Sequence, residues 1–427
     1  MGWPRWLYSA ALYGLAPLIW RRVWRESLLT HPRRQRLGWI PPSPPGERVT
    51  WLHCASLGEV VAARPLIEAL ARPGERLVIT TMTATGAQRA LALAEQLTEA
   101  GRGRVGHVFL PLDFPGAARR FVSRLRPSRA LFFETELWPN LLATCHRRGV
   151  PVAVLNGRLS PRAFHGYRRL RPLMHEALSS VDWLAAKSAA DAERFRALGM
   201  AAERTSIVGS LKFDIRPDEA LREASRRLRT RLGERPVWVA GSTHEGEDEQ
   251  LLGAHARLRE QYPQALLILV PRHPQRFDAV AELCERRGLS TARRSREEAV
   301  DGETAVYLGD TLGELMTLYA AGDLAFVGGS LVPVGGHNLL EPAALGVPVL
   351  SGPALANFEE VAEVLREAEA LEEVADGTAL AERLAALFAD EPRRQRLGEA
   401  GRRVVAANRG ALARTLEGLA KPPFQSQ

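Results

Sequence analysis

The 427-residue sequence predicts an α/β protein of two halves, each a parallel sheet with helices on both faces. Three observations carry this. Short apolar runs alternate with longer stretches of helical period, as parallel strands joined by helical crossovers require. The alternation runs in two series, separated by a connector and a helix-patterned stretch over 213–236. Composition is 46% hydrophobic and 25% charged, which excludes a disordered, collagenous or disulfide-scaffold chain. At this length two or three domains are expected.

The first element is amino-terminal. Residues 6–20 carry no charge, and Arg21, Arg22 and Arg25 follow. The whole chain has a formal charge of +8; residues 1–50, with eight arginines against Glu26 and Glu47, hold +6 of it and five of the nine tryptophans. Trp and Arg beside an apolar run mark a membrane–water interface. The run is short for a spanning helix and contains Pro17. No small-x-small cleavage site precedes Arg21, which argues against a cleaved signal peptide. Residues 1–40 are therefore expected to associate with a membrane surface, the plainer alternative being a helix packed on its own domain. A basic patch also suits nucleic acid, but no nucleic-acid motif is present and no such partner is expected. Cys54, Cys145 and Cys284 are far apart, odd in number and without a C-x-x-C, which argues against structural zinc and for a reducing compartment.

Pro41-Pro42-Ser43-Pro44-Pro45-Gly46 reads as a linker. Strands are expected at 49–54, 76–81, 105–110, 130–133, 151–155, 183–186 and 206–208, with helical stretches such as 60–70 and 137–148 between them. The second series has strands at 237–240, 265–270, 305–308, 324–327 and 348–350, and closes on a long Arg-rich helical stretch, 391–419. Two Rossmann-like domains follow, 41–212 and 213–427, expected to face each other across a cleft. In such folds ligands bind at the carboxyl ends of the strands.

Polar residues directly after apolar strands are the informative ones. In Ser56-Leu57-Gly58-Glu59 a carboxylate follows the first strand; it suits either a first-turn helix acid or catalysis. Phe133 leads directly into Glu134-Thr135-Glu136. A strand-terminal carboxylate is expensive to bury unpaired, which favours a functional or networked role for Glu134; Glu136 could equally be a helix-start acid. Lys212 is one of only three lysines, with Lys187 and Lys421, in a chain that otherwise uses Arg. It falls where the halves join, and a compact point charge differs from a guanidinium.

The second half has five such turns. They are Gly241-Ser242-Thr243-His244-Glu245-Gly246-Glu247, Pro271-Arg272-His273-Pro274, Gly309-Asp310-Thr311-Leu312-Gly313-Glu314, Gly328-Gly329-Ser330 and Gly335-Gly336-His337-Asn338-Leu339-Leu340-Glu341. Glycine turns and helix starts admit a phosphate, and Glu341 could hold ribose hydroxyls. Together they read as a nucleotide site. The absence of G-x-G-x-x-G after the first strand argues against a dinucleotide dehydrogenase, and there is no Walker A motif. There is no D-x-D, and His244, His273 and His337 lie in separate turns without metal spacing, so no metal ion is expected.

These motifs resemble the 3-deoxy-D-manno-octulosonic acid (Kdo) transferases of Gram-negative bacteria, two-domain glycosyltransferases of the GT-B type. The resemblance covers nearly the whole chain, through Ser56–Glu59, Thr80–Gly86, Glu134–Asn140, Gly209–Asp214, Ser242–Glu247, Val270–Pro274, Gly328–Ser330 and Gly335–Asn338. Leu339 stands where the family usually has Pro, and Gly157 where it usually has Ala. The resemblance implies Glu59 as catalytic base, with Glu134 and Lys212 assisting the transition state. It implies that the cytidine nucleotide meets Pro271 and Arg272, Leu312, Gly313 and Glu314, and Asn338, Leu339, Leu340 and Glu341. The implied donor is CMP-Kdo, with no further cofactor, and the transfer inverts the anomeric centre. The implied acceptor is the tetra-acyl disaccharide bisphosphate precursor of lipid A, at the cytoplasmic face of the inner membrane, in lipopolysaccharide synthesis. Two other readings fit the residues: a transferase or epimerase of the same fold using a UDP-sugar, and a membrane-tethered nucleotide-binding module without catalysis. The carboxylate at Glu134 argues against the last.

Overall fold

The computed structural model describes residues 2–25 and 33–425. They form two compact units: Met1–Asp214 with Arg409–Gln427, and Ile215–Asn408. The part of the expected membrane segment at 26–32 lies outside the described residues.

The first unit contains β1 (Val49–His53), β2 (Arg76–Thr81), β3 (Arg104–Phe109), β4 (Arg129–Phe133), β5 (Val152–Gly157), β6 (Trp183–Ala186) and β7 (Thr205–Ile207), all parallel, in the order β3-β2-β1-β4-β5-β6-β7. Alternate residues of each strand enter opposite layers, as the two-residue period demands. Val49, Trp51, Phe132 and Val154 pack into one core, and Leu52, Leu131, Phe133, Ala153 and Leu155 into the other. Burial on both faces is why these strands read as continuous apolar runs.

The second unit contains β8 (Val237–Thr243), β9 (Leu266–Pro271), β10 (Thr291–Arg293), β11 (Val306–Leu308), β12 (Leu324–Val327), β13 (Val349–Ser351) and β14 (Leu371–Glu373), in the order β10-β11-β9-β8-β12-β13-β14, again parallel. Sequence patterning locates twelve of these fourteen strands. It misses β10 and β14, which are three-residue edge strands with charged residues and no apolar run. Beneath the sheet, Trp238 Nε1 donates to His255 Nδ1 (3.1 Å), so Nε2 carries the hydrogen given to the Ala305 carbonyl (2.8 Å). Burial pushes that imidazole down to about 3.

In each sheet the chain leaves the first strand in one direction and later returns to its other side. The switch points lie between β1 and β4 and between β8 and β12, where doubly wound sheets open a crevice.

Two differences from the sequence reading concern the ends. The uncharged run is not one helix: Trp3–Gly14 and Ala16–Arg25 break at Leu15. Among the described residues no helix is long and apolar enough to cross a membrane. The first helix packs on its own unit. Ser9 Oγ meets Asn140 Oδ1 at 3.3 Å, Arg5 pairs with Glu176 at 3.4 Å, and Tyr13 lies 5.1 Å from Phe114 between ring centres. Trp3, Trp6, Leu18 and Trp24 remain exposed.

The 391–419 stretch, expected to finish the second domain, is two helices, Glu391–Asn408 and Ala411–Leu419. Gly410, with φ of +94°, turns the chain between them in a conformation that strains other residues. The last helix belongs to the first unit. The Asp214 carboxylate accepts from Gly410 N (2.6 Å) and Leu412 N (2.5 Å), which caps that helix.

Candidate active site

In the first unit, Glu59, Glu134 and Lys212 come to the carboxyl ends of three adjacent strands. Glu59 follows β1. Ser56 caps helix Leu57–Ala62 and accepts from Glu59 N at 3.4 Å. The Ser56 hydroxyl gives its hydrogen to Glu59 Oε1 (3.1 Å), and Ala55 N donates to Oε2 (2.8 Å). This is a variant of the capping box, with the acid reaching Ala55 N–H rather than the N–H of the cap residue itself, so the helix-acid role considered from sequence is present. It fixes both oxygens without draining the group's basicity. Burial, then the charges of Glu136 and Glu134, push the carboxyl up to about 8 against the pull of Ala55 N–H and Ser56.

Glu134 lies one residue beyond β4 rather than on it. Its φ of +62° is left-handed, and its N–H donates to the Leu155 carbonyl at 2.8 Å. A non-glycine residue held there costs about 1–3 kcal/mol, and the effect is to turn the side chain out of the strand's alternation. Asn156, at the end of β5, is left-handed too (φ +53°), and its Oδ1 accepts from Leu211 N at 3.2 Å. That contact ties the turn Leu211–Phe213, and with it half-buried Lys212, to the end of β5 beside Glu134.

Glu136 does not start a helix; the helix begins at Pro139. Its Oε2 instead accepts from Trp138 Nε1 (2.8 Å) and meets His53 Nε2 (3.3 Å). The sequence assigns no role to His53, and Thr80 and Trp138 enter there only as members of family-like stretches. The available signal was a histidine inside the apolar run of β1, since a buried imidazole needs partners on both nitrogens.

In the second unit, the ends of β8, β9 and β12 and the loop before Leu340 converge. Arg272 N donates to the Thr243 carbonyl at 3.0 Å, which joins the turns after β8 and β9. His244, His273 and His337 meet, although the sequence set them in separate turns. His244 and His337 stack with centroids 5.0 Å apart and Nε2 atoms 2.8 Å apart, and His273 stands edge-on to His244 at 5.2 Å. Burial, His244, Arg272 and His273 push His337 down to about 4; burial, His273, Arg276 and Arg272 lower His244. Part-buried His244 and His337, with exposed His273 and Arg272 beside them, form a cluster of nitrogen donors suited to an anion. Among the described residues no group of three or more His, Cys, Asp or Glu is arranged to hold a metal ion.

One expected anion cradle is already filled. Glu247 is fully buried, and its carboxylate accepts from Gly329 N (2.7 Å), Ser330 N (2.9 Å), Leu331 N (2.9 Å) and His244 N (3.1 Å). The Gly328–Ser330 turn therefore presents these donors to its own chain and not to a phosphate. Gly328 is required there, since a Cβ would stand 2.6 Å from the Ser242 carbonyl oxygen.

The remaining expected donor-site residues divide by what they can offer. Glu314 is held by Arg294, with Nε 2.8 Å from Oε2, and this pairing lowers its carboxyl. Leu312 is 73% exposed beside Gly313. Leu339 and Leu340 are fully buried, so they offer main-chain atoms only; Leu340 N is taken by Asn338 Oδ1 (3.2 Å). Asn338 Nδ2 donates to half-buried Glu341 (3.2 Å), whose carboxyl burial raises. Pro271 ends β9.

Comparison with known proteins adds the following. Residues 31–215 match the family of 3-deoxy-D-manno-octulosonic-acid transferases (kdotransferases), and 244–404 match the group 1 glycosyl transferases. A 3-deoxy-D-manno-octulosonic acid transferase of Haemophilus influenzae is 39% identical over 427 residues, 98% of each chain. One of Bordetella pertussis is 40% identical, over 97% of this chain and 98% of the relative. The solved UDP-GlcNAc 2-epimerase of Neisseria meningitidis, bound to UDP-GlcNAc, superposes on 87% of this chain and 99% of its own with a TM-score of 0.56; at 12% identity it shares the fold alone.

Proposed function

The chain belongs to the Kdo transferases, glycosyltransferases of two Rossmann-like domains, and from that membership we propose that it moves Kdo from CMP-Kdo to the acylated disaccharide bisphosphate precursor of lipid A. The observation that carries the mechanism is Glu59, gripped at both oxygens yet kept basic to about 8. A general base works best with a proton affinity near the operating pH.

In this reading the acceptor hydroxyl gives its proton to Glu59. Its oxygen bonds to the anomeric carbon from the face opposite the nucleotide. The bond from that carbon to the phosphate oxygen breaks, and CMP leaves with the electron pair, so the anomeric centre inverts. Glu134 and Lys212 act on the developing charge at the sugar. In the second unit Arg272 and the histidine cluster meet the donor's anionic groups, main-chain atoms at Leu312–Gly313 and Leu339–Leu340 with Asn338 meet the nucleotide, and Glu341 takes the ribose hydroxyls. Glu314, committed to Arg294, shapes its turn. Fixed cations suffice for one leaving phosphate, so the step is proposed to need no metal. Exposed Trp3, Trp6 and Trp24 beside Arg21, Arg22 and Arg25 are proposed to rest on the cytoplasmic face of the inner membrane.

The test is incubation with CMP-Kdo and a tetra-acyl precursor, reading product mass; no gain in mass overturns the proposal. Glu59→Ala is expected to lower the rate about 10²–10⁴-fold with CMP affinity nearly unchanged, and full activity in that variant removes Glu59 from the role of base. Stabilisation by UDP but not CMP in thermal melting would favour the UDP-sugar reading.

A further inference from the structure

The turn after β4 carries a second carboxylate, Glu136, that the catalytic set leaves unused and no helix start explains. It ends a hydrogen-bonded chain through the sheet. Trp51 Nε1 donates to Thr80 Oγ1 (2.9 Å), Thr80 Oγ1 lies 2.9 Å from His53 Nδ1, and His53 Nε2 lies 3.3 Å from Glu136 Oε2. Trp138 Nε1 closes the chain from the other side at 2.8 Å. An indole N–H only donates, so Thr80 Oγ1 accepts from Trp51. Glu136, as a carboxylate, only accepts, so Nε2 carries the hydrogen that faces it, and Nδ1 is left to accept the Thr80 hydroxyl hydrogen. His53 is fully buried, so the clamp has little freedom to move.

We infer that Glu136 is a positioning residue for the transfer: its charge, pinned by His53 and Trp138, acts on Glu59, the group that takes the acceptor's proton. This rests on the reading of Glu59 as base. The groups facing Glu59 are Ala55 N–H and Ser56 from its own turn, the Cys54 thiol just after β1, and Glu134 and Glu136 from the turn after β4. Tyr167, from helix Pro161–Arg168, faces Glu136. Arg158 directly follows β5, and Lys212 sits in the turn Leu211–Phe213 that Asn156 ties to the end of that strand. After burial, Glu136 is the largest influence that strengthens the hold of Glu59 on a proton, ahead of Glu134. A carboxylate that gave up its proton near 4.5 would be a poor base; a fixed like charge corrects that.

The experiment has two readouts. In the first, the alkaline-rising limb of kcat/KM, expected near pH 8 in the wild type, moves to lower pH in Glu136→Gln by roughly half a unit to one unit. Glu134→Gln and Trp138→Phe move it less. The second needs no turnover. Glu59 binds a proton more tightly folded than unfolded, so wild type loses stability relative to Glu59→Gln as pH rises from about 4.5 towards about 8. Urea denaturation across pH reads that difference, and in the Glu136→Gln background it levels off at lower pH. If neither curve moves, the inference is overturned. If the stability curve moves and the rate limb does not, Glu59 is not the base and Glu136 loses its role in the reaction, although its charge acts on Glu59. Should Glu136→Gln fail to fold, Trp138→Phe, which removes one N–H and keeps the ring, carries both measurements.

Discussion

Ser56 and Ala55 N–H hold the Glu59 carboxylate as they would hold any acid in a first helical turn. What separates it from an ordinary cap is its company: burial, Glu136 and Glu134. The sequence shows the Ser-x-x-Glu spacing and the acids after β4, but not that the strand order sets them side by side. The same limit hid the histidines. His244 and His337 are 93 positions apart and touch. Their lowered proton affinity comes from burial and neighbouring cations, so an anion placed among them should reverse it. CMP binding at pH 6 is therefore expected to take up protons, and affinity to weaken as pH rises from about 5 to 7. Calorimetry in two buffers of different ionisation heat reads the uptake. Equal heats in both buffers would show that the anion seats elsewhere, and His337→Gln should reduce the uptake.

Periodicity identifies long buried strands because both their faces are apolar, and it passes over β10 and β14 because a three-residue edge strand leaves too little pattern to count. It also misreads glycine turns. Gly328–Ser330 looks like a phosphate cradle, yet its N–H groups close on Glu247. A buried acid several residues after a strand can occupy a distant turn, and spacing along the chain does not reveal the pairing. Glu247→Ala is expected to destabilise the second unit by about 3–5 kcal/mol, since it leaves several buried N–H groups without an acceptor. Denaturation followed with a probe in that unit measures it. A loss below about 1 kcal/mol would mean that water replaces the carboxylate without cost. Glu247→Gln should fall between the two, keeping one acceptor oxygen.

Two α/β halves were legible in the whole chain, because twelve of the fourteen strands and their crossovers leave a repeated pattern. The placing of the last helix was not, because nothing in 391–419 marks where the chain crosses back; Gly410 is one glycine among 36. Removing 409–427 is expected to lower the melting transition of the first unit and leave that of the second nearly unchanged, since Asp214 loses Gly410 N and Leu412 N and Trp183 loses its neighbours Gly418 and Phe424. Differential scanning calorimetry resolves the two, and a lowered second transition would contradict the assignment. The return of that helix also orders events during synthesis. The second unit is an insertion in the first, so all of its residues leave the ribosome while the first still waits for its final helix. The earlier-made half is completed last, and until then one of its two core layers lacks Ala411, Leu419 and Phe424.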